Sequence, residues 1–213
     1  TYDVVQFYTQ RVTTSETVTA TSLDVLKEAV DAFIESTHQK NVQIAAENPT
    51  LSGAQLEAYQ HRISIVKFAG DQYAGGTPSV AEGDDFYDDS NGYEHNYSQV
   101  VKNLTVVNGP GHTELIQAMD SLRAVGATAI DSGMALAQKV LEPTNAGAAQ
   151  RNKVVLVFSD GVPTHGNEFD SDVANDAIGT AKTIKETAKV YAISVAKDSD
   201  VENTTSNLNK FFH

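Results

Sequence analysis

Residues 153–158, Lys-Val-Val-Leu-Val-Phe, run straight into Ser159-Asp160-Gly161. An apolar run without polar alternation reads as a strand buried on both faces, as in a parallel sheet covered by helices. The flanking sequence agrees. Upstream, Ile130, Met134, Ala137, Val140 and Leu141 recur at helical spacing. Downstream, 170–187 reads as a helix and 189–196, Lys-Val-Tyr-Ala-Ile-Ser-Val-Ala, as another strand. This alternation predicts an α/β fold: a Rossmann-like doubly wound, mostly parallel sheet flanked by helices.

Working outward, residues 3–8 (Asp-Val-Val-Gln-Phe-Tyr) read as a first strand. A helix capped by Ser22 follows, with Leu23, Leu26, Val30, Phe33 and Ile34 on one face. Residues 52–60 suggest a short helix, and Arg62 to Ala69 a strand. Periodicity is then lost over 70–112. That segment holds Gly75-Gly76, the acidic residues Asp84, Asp85, Asp88 and Asp89, and turn signals at Asn91-Gly92 and Asn108-Gly109-Pro110-Gly111. It is long for a loop and reads as an insertion with some structure of its own, Tyr97 to Leu104 contributing part. Thr113 is expected to cap a helix through Arg123, with Leu115, Ile116, Met119 and Leu122 inward. A final short helix is expected between Asp200 and Phe212. The whole chain, 1–213, reads as one domain with 70–112 inserted in it.

Composition narrows the function classes. With 40% apolar residues the chain can bury a sizeable core. Asp and Glu number 28 against 15 Lys and Arg, a net charge of −13. Such a surface repels phosphate backbones, and no basic, aromatic-interleaved patch offsets it, so nucleic acid is not an expected partner. No apolar run is long enough to span a bilayer, so direct membrane insertion is not expected either. Residues 1–20 lack the basic start and apolar core of a signal peptide. The absence of cysteine removes disulfides, thiolate metal sites and a cysteine nucleophile. No His-Glu-x-x-His, Gly-x-Ser-x-Gly or lysine-bearing phosphate loop occurs, so the chain is expected not to be an enzyme. The cluster at Asp84, Asp85, Asp88, Asp89 and Ser90 reads as a solvated loop ahead of a calcium site, because it lacks an EF-hand's closing Glu.

In such a fold the carboxyl ends of the strands share one rim. Three segments are expected there: the end of the first strand near Thr9, the turn Gly126-Ala127-Thr128, and Ser159-Asp160-Gly161. Hydroxyls with a single carboxylate suit a hard cation, Mg²⁺ or Mn²⁺ before Ca²⁺. Few protein carboxylates leave the ion electrophilic, so it accepts a carboxylate from a partner without turnover. The plainer roles are Asp160 capping the turn before Gly161, Thr128 capping the helix that starts near Ala129, and Arg11 pointing to solvent.

Gly126-Ala127-Thr128-Ala129-Ile130-Asp131-Ser132-Gly133-Met134-Ala135-Leu136 resembles the second metal-site loop of von Willebrand factor A domains. Val154-Val155-Leu156-Val157-Phe158-Ser159-Asp160-Gly161-Val162-Pro163-Thr164 resembles the third. Leu23-Asp24-Val25-Leu26-Lys27-Glu28-Ala29-Val30 is similar to the family's first helix, and Arg62-Ile63-Ser64-Ile65-Val66-Lys67-Phe68-Ala69 to its second long strand. The flavour, including Asn152-Lys153-Val154-Val155 and Asp160-Gly161-Val162-Pro163-Thr164-His165-Gly166, is similar to pilus-associated adhesins of Gram-positive bacteria. The resemblance implies a metal-ion-dependent adhesion site at Thr128 and Asp160. It also implies an extracellular place in the cell wall or pilus, and a host or extracellular-matrix protein, or pilus subunits, as partners.

One departure stands out. The family's first motif, Asp-x-Ser-x-Ser, aligns with Thr9-Gln10-Arg11-Val12-Thr13, which lacks its carboxylate and first serine. Thr9, Arg11 and Thr13 therefore form a degenerate motif. Either Arg11 takes the cation's place, pairs with Asp160 and leaves the site metal-free, or the register differs and Ser15 or Glu16 supplies ligands. The competing reading is a structural or assembly domain of a pilus protein with no metal and no ligand at that rim. A metal-assisted hydrolase on a related scaffold is a third class, disfavoured because no nucleophile–base pair can be placed.

Overall fold

The computed structural model describes residues 21–69, 86–88, 94–124, 126–142, 151–159, 162–164 and 169–194. Helix α1 spans Ser22–Glu47. Its cap is Thr21, one residue before the expected Ser22: the Thr21 hydroxyl accepts from the Asp24 N–H at 3.1 Å, and the Asp24 carboxylate accepts from the Thr21 N–H at 2.9 Å. This reciprocal box satisfies two of the orphan donors at the helix start. A one-turn helix α2, Ala54–Glu57, leads into strand β1, Arg62–Lys67. Strands β2 (Phe86–Asp88) and β3 (Glu94–Asn96) form a small antiparallel hairpin. Strand β4, Gln99–Val106, pairs antiparallel with β1. Helices α3 (Gly109–Asp120) and α4 (Ile130–Val140) follow, then strand β5 (Val154–Ser159), helix α5 (Ser171–Lys185) and strand β6 (Lys189–Ser194).

The architecture is mixed α/β. Among the described residues the strands form three two-stranded sheets, where the sequence predicts one larger sheet. Residues 3–8, the expected first strand, lie outside the described residues, as does the expected helix at 200–212. Within 70–112, β4 is part of the main body through its ladder to β1, and α3 already begins at Gly109 rather than Thr113. Asn108 caps α3 by accepting from the Gly111 N–H at 3.0 Å, and Pro110 sits in the first turn, where a missing N–H costs no hydrogen bond.

Strands β1, β5 and β6 run the same way. The β5–β6 pair is parallel and in continuous register from Val154↔Lys189 to Ser159↔Ser194. At the amino end of β5, the Arg151 guanidinium donates to the carbonyls of Gln60 (2.7 Å), Glu57 (2.9 Å) and Ala58 (2.8 Å), beside the chain entering β1. At that same end Lys153 donates to the Leu141 carbonyl, past the last turn of α4, at 2.9 Å. At the other end of α4, Gly133 lies against Phe68, just beyond the carboxyl end of β1. Helix α4 is thus antiparallel to both β1 and β5, and those strands finish at one end of the molecule.

Two apolar cores result. Ile34 of α1, Ile65 of β1, Val107, and Leu115, Ala118 and Met119 of α3 form the first. Ile130 and Met134 of α4, Val157 of β5, and Val173, Ala177 and Ile184 of α5 form the second, with Phe68 packed against it. Ile63 and Ile65 point to the first core and Phe68, of opposite parity, to the second. The β1–β4 pair therefore carries helices on both faces. The β1–β4 ladder shifts register on either side of Ile65, and Ser64 donates to the Lys102 carbonyl at 2.6 Å there. No helix among the described residues is long and apolar enough to cross a membrane.

Between α1 and α3, Oδ1 of Asp31 is buried without a hydrogen-bond partner. Burial pushes this carboxyl above its usual range and Asp120 adds to the shift, while Lys27 and His112 oppose it. A carboxyl that binds its proton more tightly when folded favours folding most below its ordinary range near pH 4, and that contribution is lost as pH rises through the raised value. Asp31→Asn is therefore expected to stabilise the fold at pH 7 by about 0.5 kcal/mol, kept small by the side chain's partial solvation. Thermal melts at pH 7 and pH 3.5 check this: the gain should vanish at the lower pH.

Candidate functional site

Glycine begins the site. Gly126 has φ +94°, a left-handed conformation that a side chain would strain, and it turns the chain toward Ala127 and Thr128. Ala127 and Ala129 are buried on either side of half-buried Thr128. The Thr128 backbone is held at both polar atoms: its N–H donates to Thr164 Oγ1 at 3.0 Å, and its carbonyl accepts from the Thr164 N–H at 3.1 Å. The same carbonyl accepts from Ile130 at 2.9 Å as α4 begins.

The cap of α4 is Ala129, and no side chain caps it. Thr128 thus does not act as the helix cap that a plain reading allows, and its hydroxyl makes no hydrogen bond among the described residues. The amino end of α4 opens beside this hydroxyl, adding the partial positive charge of the helix dipole at the rim.

Thr164 is held in turn from its own side. Pro163 is fully buried and its carbonyl accepts from the Asp170 N–H at 2.9 Å. Asp170 then caps α5, its carboxylate accepting from Asp172 (2.8 Å) and Val173 (3.4 Å). The chain from β5 to α5 is therefore clamped at Pro163–Thr164 and at Asp170, with Thr164 turned inward at 7% exposure. Thr164 belongs to the quoted third motif, yet no role for it was visible in the sequence. Its partner is 36 residues away, and only the adjoining proline hinted at a fixed turn.

Of the residues singled out from sequence, Thr128 is described and stands at this rim. Thr9, Arg11, Thr13 and Asp160 lie outside the described residues. So do Ser15, Glu16, Asp84, Asp85, Asp89 and Ser90, while the backbone of Asp88 ends β2. What the structure brings together is the Gly126–Thr128 turn with the chain just past β5, at the end of the molecule where β1 also finishes. Among the described residues no group of three or more His, Asp or Glu is poised to hold a metal ion. No family model, curated protein or solved structure matches the chain, so the site is read from its own chemistry.

Proposed function

We propose that this chain is a von Willebrand factor A-like adhesion module that binds a host or extracellular-matrix protein at the Thr128 rim. The observation that carries the reading is the paired hydrogen bond between Thr128 and Thr164. It joins the two motif-bearing loops at the carboxyl ends of the strands and leaves the Thr128 hydroxyl without a partner among the described residues. A hydroxyl held by a rigid backbone is a suitable oxygen ligand for Mg²⁺ or Mn²⁺. Asp160, on the same loop as Thr164, would add the carboxylate, and a partner carboxylate would complete the shell. In this reading the sheet is doubly wound, and Thr9, Arg11 and Thr13 are the degenerate first motif of the site. The setting is the cell wall or pilus of a Gram-positive bacterium, and the activity is binding, not catalysis.

A second reading, a pilus assembly domain with no metal and no ligand at that rim, is favoured by one feature. Thr9-Gln10-Arg11-Val12-Thr13 offers no carboxylate, and Arg11 can neutralise Asp160. Mn²⁺ titration by calorimetry, with binding to immobilised matrix proteins with and without EDTA, separates the two. The adhesion reading with metal expects one Mn²⁺ per chain, binding at least tenfold weaker in Thr128→Ala, and capture that EDTA abolishes. Capture indifferent to EDTA, with no Mn²⁺ heat, would remove the metal. Absence of capture together with incorporation into a pilus would favour the assembly domain.

A further inference from the structure

Helices α1 and α3 meet along a seam that carries imidazole and carboxylate groups. Glu35 and His38 stand three residues apart on α1 and so share a face, and His112 meets them from α3. His112 Nε2 lies 2.9 Å from Glu35 Oε2, and the His38 and His112 ring centroids are 5.0 Å apart. Two of these groups are also held from behind. His38 Nδ1 donates to the Val107 carbonyl at 3.2 Å, which leaves the lone pair on Nε2, and Nε2 makes no hydrogen bond among the described residues. Glu35 Oε1 accepts from the Gln39 amide at 2.7 Å. That hydrogen bond, with His112 and His38 close by, holds the Glu35 carboxyl below its usual range. One turn earlier on α1, Asp31 keeps Oδ1 buried without a partner, near enough to His112 for their charges to interact. Lys27, a turn further back, gives its ammonium to the Asp120 carbonyl at 2.9 Å.

We propose that His38, His112 and Glu35 bind a divalent transition-metal ion, Zn²⁺ by preference, in the seam between α1 and α3. Two imidazoles and a carboxylate are a zinc donor set, and three protein ligands leave the fourth tetrahedral position to water. Two imidazoles on one tetrahedral ion, with zinc–nitrogen bonds of about 2.0–2.1 Å, set their ring centroids about 5 Å apart. The two rings already stand at that separation. The Val107 carbonyl behind one imidazole and the Gln39 amide behind the carboxylate orient the donor atoms toward an ion. Among the described residues the donors do not share a single point, since Glu35 and His112 are bonded to each other. The ion replaces the proton between them, which moves to Nδ1 of His112, and the Glu35 side chain, 50% exposed, has room to adjust. The seam lies at the opposite end of β1 from the Thr128 rim, because Val107 follows β4 where Val106 pairs with Arg62. The two sites are therefore independent.

Calorimetric titration of Zn²⁺ into the Thr128→Ala chain, which lacks the rim hydroxyl, is expected to show one strong site per chain. His38→Gln and His112→Gln, each shown folded by circular dichroism, should weaken it by about tenfold or more. Glu35→Gln changes an exposed side chain outside the core and should weaken it severalfold, so the test survives a histidine variant that does not fold. Co²⁺ in place of Zn²⁺ should give the intense visible bands of a tetrahedral ion. Zn²⁺ should also raise the melting temperature of the Thr128→Ala chain, and less so once Glu35→Gln is added. Absence of Zn²⁺ binding, or binding undiminished in Glu35→Gln or in either folded histidine variant, would overturn the proposal.

Discussion

Asn41→Ala is expected to lower folding stability by about 2 kcal/mol, one of the two largest losses from any single substitution proposed for this chain. Asn41 is fully buried on α1, a helix whose neighbouring positions are largely polar. Its amide nitrogen donates to the carbonyls of His61 (2.9 Å) and Val107 (3.1 Å), and its oxygen accepts from the His61 N–H at 2.7 Å. One side chain thereby satisfies backbone groups at the start of β1 and just past the end of β4, where the ladder hands over to turns. Alanine would leave the His61 N–H without that partner, while the His61 carbonyl keeps the Val107 N–H and the Val107 carbonyl keeps the His38 ring; an unsatisfied group costs about 1–3 kcal/mol. Urea denaturation should show a lower midpoint with an unchanged slope, the mark of lost stability without a change in exposed surface. Asn48→Ala is the control. That side chain makes one local bond, to the Ile44 carbonyl at 2.8 Å, and its loss should cost well under half as much. Equal losses at both sites would refute the bridging role given to Asn41.

Gly111→Ala should cost about 3 kcal/mol or more, as overpacking against rigid backbone does. A Cβ at Gly111 would lie 2.0 Å from the Val106 carbonyl oxygen and 2.9 Å from a Thr105 methyl. A flexible side chain can swing away from such a clash; a strand carbonyl cannot. The first turn of α3 can approach the end of β4 only without a side chain there. Gly109, two residues earlier, meets nothing within 4 Å. Gly109→Ala should therefore be neutral or stabilise by about 0.5 kcal/mol through the unfolded chain. Paired thermal melts of the two variants test this geometry: similar melting temperatures would show that α3 does not lie so close to β4.

Much of the fold was legible because it is written in local periodicity. The apolar run at Val154 to Phe158, the helical spacing in α4 and the alternating strand-helix order all give elements where they were expected. Strand β4 was not legible as part of the body, because the register shifts around Ile65 and Lys102 break the period-two pattern that identifies a strand. The start of α3 was misread for a related reason. Asn-Gly-Pro-Gly is a turn signal in isolation, yet here the same residues supply a cap, a first-turn proline and a close backbone approach. At the candidate site, Thr128 could be placed from its loop. The roles of Thr164 and Asn41 could not, since each depends on partners brought together only by tertiary packing.

Helix α4 lies in the second core and braces both β1 and α5: Gly133 abuts Phe68, just past β1, while Ile130 and Met134 pack with Val157 and the apolar face of α5. A wall shared in this way ties the melting of one half of the molecule to the other. Amide protons in β1 and in β5 should then open together as a single cooperative unit and not as two separately fraying blocks. Disturbance at the rim where α4 begins would be felt along both strands at once.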